Sequence, residues 1–205
     1  MAQVKKQAVH DAILQAAFEL FSTKGYLRTS QSQIAAAAGI TTSNIYVYFP
    51  SKLDIIFALV RPWLLDQVDR LERDVERIAN PRRRLERILT SLWLDIPAAD
   101  NCFAHNIMQA LATVGPQEVY SRELLLTLES RVTAMIASCL PPKRRALLED
   151  DAFTHLVFMA FDGFVLNQRI RGKSRRLQKI IDVTCTMLLG RQSPAPTLAR
   201  QRADG

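Results

Sequence analysis

The chain is poor in the residues that build several kinds of chemical site. Its 205 residues hold only seven glycines, and no two stand close enough for a loop that wraps phosphate in backbone N–H groups. Three cysteines, Cys102, Cys139 and Cys185, are odd in number and far apart, so neither a disulfide framework nor a structural zinc site is expected. They read as small buried apolar residues. The three histidines, His10, His105 and His155, lack metal-ligand spacing, and neither a G-x-S-x-G elbow nor an H-E-x-x-H pair occurs. No enzyme, no metal and no cofactor are therefore expected, an enzymatic site assembled from distant residues being the outside alternative. No strictly apolar run exceeds six residues, as at Leu156 to Phe161, against the ~20 that a membrane span needs. No apolar stretch precedes Asp11, so a secretory leader is not expected either. A soluble, cytoplasmic protein with no membrane partner is the expectation.

What is present is a core and an excess of positive charge. Hydrophobic residues make up 48% and charged residues 23%, a balance that excludes a mostly disordered chain. The formal net charge is +7, which suits a polyanionic partner. Lys5, Lys6, Lys24, Arg28 and Lys52 against Asp11 and Glu19 give residues 1–53 a net +3. The charge is denser there than in the rest of the chain.

Nearly every segment has helical period, and none alternates like a strand. A first helix carries Ile13, Ala17 and Leu20 on one face and ends at Lys24-Gly25. Ser30-x-x-Gln33 is a capping box opening an alanine-rich helix that stops at Gly39. Thr41 or Thr42 caps a short helix ending before Phe49-Pro50. Ser51-x-x-Asp54 opens a long pattern towards Ala79, with a kink or break expected at Pro62. Further helices are expected over Pro81 to Ile96, Phe103 to Ala112, Gln117 to Leu140, Ala146 to Arg171 and Ser174 to Leu189. Residues 190–205 lack a periodic apolar face, as a disordered tail does.

Residues 31–52 give the helix-turn-helix arrangement. Alanines 35 to 38 let two helices approach closely, and Gly39 supplies the positive φ that ends the first of them. Thr41, Thr42, Ser43 and Asn44 stand at the start of the second, the end that enters a major groove. An ordinary helical hairpin has the same spacing, so the arrangement alone leaves both readings open.

Three longer pieces narrow the choice. ILQAAFELFSTKGYLRTS, IAAAAGI and TTSNIYVYFPSKLDII occur in order within residues 11–60. Together they resemble the N-terminal domain of the TetR family of bacterial transcriptional regulators. The resemblance covers about a quarter of the chain directly. It implies an all-α fold of about nine helices: a three-helix helix-turn-helix DNA-binding domain at 1–53, and a larger effector-binding and dimerisation domain at 54–189. The implied function is a homodimeric repressor, released from a near-palindromic double-stranded DNA operator by a small, largely apolar effector. The alternative is a helical small-molecule-binding or interaction protein without specific DNA binding.

The resemblance also implies roles. Thr41, Thr42, Ser43 and Asn44 would reach base edges or nearby phosphates; Tyr46 and Tyr48 would lie on the sugar-phosphate backbone; Lys52 would pair a phosphate. Arg28, Thr29 and Ser30 would meet the flanking backbone. Tyr46 reads equally as a core aromatic. Gln31 stands where the family usually has an apolar residue, and either alters packing or faces a phosphate. In the larger domain Trp63, Trp93, Phe103, Met108, Phe158 and Met159, with His105 as a polar fixture, line either an effector cleft or a plain core. Leu156 to Leu166 is apolar almost all round and needs cover on every side. The expected dimer interface is Phe153, Val157, Phe161, Phe164, Leu177, Ile181 and Leu188, a four-helix arrangement across a two-fold axis.

Overall fold

The computed structural model describes residues 2–99, 102–113, 122–172 and 174–190. Within them the chain is all-helical, with ten α-helices where about nine were expected. Three helices come first: the long α1 (Ala2–Lys24) and the short α2 (Gln31–Ala37) and α3 (Thr42–Tyr48). Ser30 caps α2 through the full capping box, its hydroxyl accepting from Gln33 N–H while the Gln33 side chain accepts from Ser30 N–H. Gly39 then takes φ 69°. Ile40 N–H reaches back to the Ala35 carbonyl at 3.0 Å, the left-handed stop that releases the chain into α3.

The long helix α4 (Lys52–Glu76) is capped by Ser51 and Asp54 and runs unbroken through Pro62. Of the kink or break expected there, the break does not occur. The proline ring is exposed, so its missing N–H costs α4 one hydrogen bond while the flanking turns stay packed. A second proline is absorbed differently. Between α5 (Pro81–Thr90) and α6 (Ile96–Ala99) the helix widens into a π turn over Ser91–Asp95. Ile96 N–H bonds the Ser91 carbonyl, and the helical path continues past Pro97, where irregular chain was expected. This extra short helix accounts for the tenth element.

After α7 (Phe103–Leu111) come α8 (Glu123–Cys139), α9 (Ala152–Arg171) and α10 (Leu177–Leu189). Each begins later than the sequence pattern suggested. Asp151, at φ 56°, separates α9 from a 3-10 turn over Pro142–Leu148. Residues 114–121 and 191–205, which include the start of the expected 117–140 helix and most of the tail, lie outside the described residues.

Two hydrophobic clusters organise these helices. One gathers Ile13, Phe21, Ile34, Ile45, Ile55, Ile56 and Val60 from α1 to α4, and also Phe103 and Ala110 from α7. The other gathers residues of α4, α5 and α8 to α10 around Leu85, Ile88, Val132 and Ile136. Each fully buried Ile or Leu contributes roughly 1.5–3 kcal/mol relative to exposure. Trp63 and Leu64 on α4 pack against both clusters. Arg131 of α8 donates to Glu72 and Asp69 of α4, a charge network that raises its already high pKa.

Cys139 and Cys185 are buried and unpaired, as small apolar residues are. Burial pushes the Cys185 thiol up to about 12. Among the described residues no helix is long and apolar enough to cross a membrane.

Replacing Pro62 by alanine restores the N–H facing the Ala58 carbonyl. The Pro62→Ala variant is expected to be more stable by about 1–3 kcal/mol, read as a higher urea midpoint with an unchanged slope. An unchanged or lower midpoint would show that the proline already costs nothing.

Candidate nucleic-acid interface and effector cavity

The first candidate site is the outward face of α3. Ile45 points inward and is fully buried, which fixes the helix against the first cluster and turns its opposite side to solvent. That side carries Ser43, Asn44, Tyr46 and Val47, with Thr42 partly covered. Thr41 caps the helix, its hydroxyl accepting from Asn44 N–H and lying 3.0 Å from the Ser43 hydroxyl. The cap therefore orients two of the polar groups expected to read DNA. Tyr46 is 53% exposed, and its alternative placement in the core does not occur. Tyr48 is half-buried against the first cluster. Val47, 70% exposed on the same face, was not singled out in the sequence because an apolar residue in an amphipathic helix normally reads as core.

Around this face the structure brings some expected residues forward and withdraws others. Arg28 is exposed, its Nε donating to the Lys24 carbonyl, and Ser30 is exposed with its hydroxyl held in the cap. Three assignments need correction. Thr29 is 1% exposed and donates to the Gly25 carbonyl, so it fixes the turn after α1. Gln31 is half-buried, and its amide nitrogen is shielded without a hydrogen-bond partner, which favours the packing role over a phosphate. Lys52 is turned inward. Its ammonium donates to the Tyr26 and Thr29 carbonyls at 2.8 Å each and lies 4.0 Å from the centre of the Tyr26 ring. Partial burial lowers its pKa. The resemblance implied a phosphate ligand here, whereas the fold uses the ammonium to tie α4 to the turn between α1 and α2.

The second candidate site is a cavity of about 270 Å3 walled by α4, α6, α7, α8 and α9. Five expected residues line it: Trp63, Phe103, Met108, Phe158 and Met159. Two do not. Trp93 packs against Phe164 and donates its indole N–H to the Val157 carbonyl, and is a core residue. His105 lies on the other side of α7, where its Nε2 is 2.8 Å from the Gln109 amide. The polar groups that do line the cavity, Glu129, His155 and Asp162, went unnoticed. They are 18 or more positions from the end of α7 in sequence, and only the fold brings them opposite it.

Helix α7 thus has two working faces. One lines the cavity; the other meets the turn after α1. Asn106, 1% exposed, accepts from Tyr26 N–H at 2.6 Å and donates to the carbonyls of Phe21 and Cys102. Gln109 accepts from Leu27 N–H at 3.3 Å. Gly25, at φ 81°, lies so close to Gln109 that a Cβ would sit 3.3 Å from its side-chain oxygen.

The expected interface residues also need correction. Val157, Leu177, Ile181 and Leu188 are buried in the protomer's own second cluster, and Phe153, Phe161 and Phe164 pack against it. A periodic apolar stripe identifies a buried face, and here the protomer buries it by itself. The uncovered apolar side chains of α9 and α10 are Leu156, Met159, Leu166, Ile170, Ile180, Val183 and Met187.

Comparison with known proteins places these features. Residues 13–59 match the profile of bacterial regulatory proteins, tetR family. The chain is similar to the fatty acid metabolism regulator protein of Bacillus subtilis, 29% identical over 86 residues, 42% of this chain and 44% of that one. It is similar to the HTH-type transcriptional regulator HbdR of Aromatoleum, 36% identical over 81 residues, 40% of this chain and 34% of the relative. Both matches span less than half of the relative. Its fold is shared with the transcriptional regulator FadR from Bacillus subtilis in complex with stearoyl-CoA. That likeness has TM-score 0.57 at 19% identity, and covers 87% of this chain and 97% of the other.

Truncating the buried amide tests the α7 contact. Asn106→Ala removes the amide oxygen that accepts from Tyr26 N–H, and leaves the Phe21 and Cys102 carbonyls only their backbone donors, Gly25 N–H and Asn106 N–H; it is expected to lower stability by about 1–3 kcal/mol. Denaturant unfolding reads this directly; a loss below half a unit would mean that water replaces the amide.

Proposed function

We propose that the chain, whose residues 13–59 match the profile of bacterial regulatory proteins, tetR family, is a member of that family and a sequence-specific transcriptional regulator. It acts as a homodimeric repressor that leaves a near-palindromic operator when a small molecule fills the cavity. The observation that carries this is α3: a capped helix anchored by one buried isoleucine, with its polar face presented to solvent. Residues 1–53 form the DNA-binding part and residues 54–189 the effector-binding and dimerising part, in the cytoplasm where the DNA is. The cavity binds and releases its occupant unchanged.

Thr42, Ser43 and Asn44 supply hydrogen-bonding groups for base edges, and Val47 an apolar contact suited to a thymine methyl. Tyr46, Arg28 and Lys6 lie towards the phosphates, which position the domain without reading sequence. Dimerisation uses the outer faces of α9 and α10. Leu156, Met159, Gly163, Leu166 and Ile170 recur at intervals of three and four along α9, and Ile180, Val183 and Met187 do so along α10. Exposed apolar stripes of this kind require a partner, and Gly163, with open space around it, allows close helix approach. The two-fold axis sets the α3 helices about 34–36 Å apart, one turn of DNA.

Effector response is a population shift. Cavity and DNA-binding part share α4, whose Val60 belongs to the first cluster and lines the cavity, and α7, whose Asn106 holds the turn after α1. An occupant that prefers a displaced α7 changes the spacing of the reading helices and weakens operator binding by its differential affinity.

Titration against DNA from upstream of its own gene and against scrambled DNA, at two salt concentrations, tests the reading. Tight binding to the former alone, weakening steeply with salt, is expected. Equal weak binding to both, together with failure of a genome-wide DNA selection, would favour a small-molecule-binding protein. Asn44→Ala should cost about 1–3 kcal/mol of specific affinity and leave scrambled-DNA binding unchanged. Leu166→Glu with Met187→Glu should yield a monomer in sedimentation, whereas a dimer surviving both would place the interface elsewhere.

A further inference from the structure

The cavity is apolar except where α8 and α9 meet. Among the described residues Glu129, His155 and Asp162 are its titratable lining residues, and no lysine or arginine lines it. His155 Nδ1 lies 3.0 Å from Glu129 Oε1. An ionised carboxylate only accepts, so that nitrogen carries the proton. The Glu129 side chain is 14% exposed. Asp162 lies exposed at the edge of the cavity, with no hydrogen-bond or ion-pair partner among the described residues, and partial desolvation there raises its carboxyl pKa. Two carboxylates, one held by a histidine and one unpartnered, thus stand in a cavity otherwise walled by Phe57, Trp63, Phe103 and Phe158 with aliphatic neighbours.

Resting on the effector-binding reading above, we propose that the effector is an amphipathic cation, an apolar body bearing one protonated amine or quaternary ammonium that lies against Glu129 and Asp162. An anionic head, carboxylate or phosphate, would meet two like charges, and His155, the one basic group among the described lining residues, is already engaged by Glu129. A neutral occupant would remove water from Asp162 without giving it a partner, which is costly. A cation supplies the missing counter-charge, and the aromatic walls attract it further through their ring faces. Complementarity of charge decides the class, and the apolar walls accept the body.

Isothermal titration of the full-length protein with decyltrimethylammonium, decanol, decanoate and decanoyl-CoA tests this. The ammonium is expected to bind about ten-fold or more tighter than the equal-length alcohol, and neither anion tighter than the alcohol. The Glu129→Gln/Asp162→Asn double variant should lose that preference while its decanol affinity stays unchanged, which also reports a folded cavity. Should the double variant fail to fold, Asp162→Asn alone is used and should lose about half of the preference on a logarithmic scale. Decanoate or decanoyl-CoA binding as tightly as the ammonium would overturn the proposal. So would an ammonium affinity untouched by the substitutions, or no ammonium binding at all. DNA titration of the same preparation separates the two readings. Specific DNA binding without ammonium preference overturns this inference alone, and ammonium preference without specific DNA binding overturns only the regulator reading.

Discussion

One buried amide joins the two halves of the molecule. Asn106 sits where α7 crosses the end of α1, and a single side chain satisfies a backbone donor and a backbone acceptor of the turn it faces. Separating α7 from the turn would cost the Tyr26 N–H this acceptor in a buried setting, which is unfavourable. Phe103, Ile107 and Met108 of the same helix wall the cavity, so the cavity wall and the support of the turn are carried by one helix. Lys52 reinforces the turn from the other side by bonding two of its carbonyls.

The N-terminal region was legible in the sequence because its signals are local. A capping box, a glycine stop and a proline after an aromatic each act within four residues, and α2 and α3 begin and end within a residue or so of where those signals put them. Ser30 and Thr41 took up the capping roles that their spacing suggested. Where a side chain's fate depends on distant backbone, the sequence was silent. Lys52 is charged, and only the fold shows that two carbonyls 23 and 26 residues away claim its protons.

Apolar periodicity failed in a different manner. Along α10 it separated Leu177, Ile181, Cys185 and Leu188 from their neighbours, and all four are buried. What it could not tell was who buries them. A stripe is the same in a protomer's own core and in an interface, and in this chain the more regular stripe is the core while the second, broken by Gly163, faces outward. The cavity shows the same limit: aromatic residues of α4, α7 and α9 were recognisable as its walls, but the pairing of Glu129 with His155 depends on the packing of α8 against α9.

The thiols of Cys139 and Cys185 have a consequence for how the chain meets its surroundings. Oxidants and electrophiles attack thiolates, and burial keeps both sulfurs protonated and screened. Peroxide or a reactive aldehyde therefore meets less thiolate, and less accessible sulfur, at these two positions than at an exposed thiol.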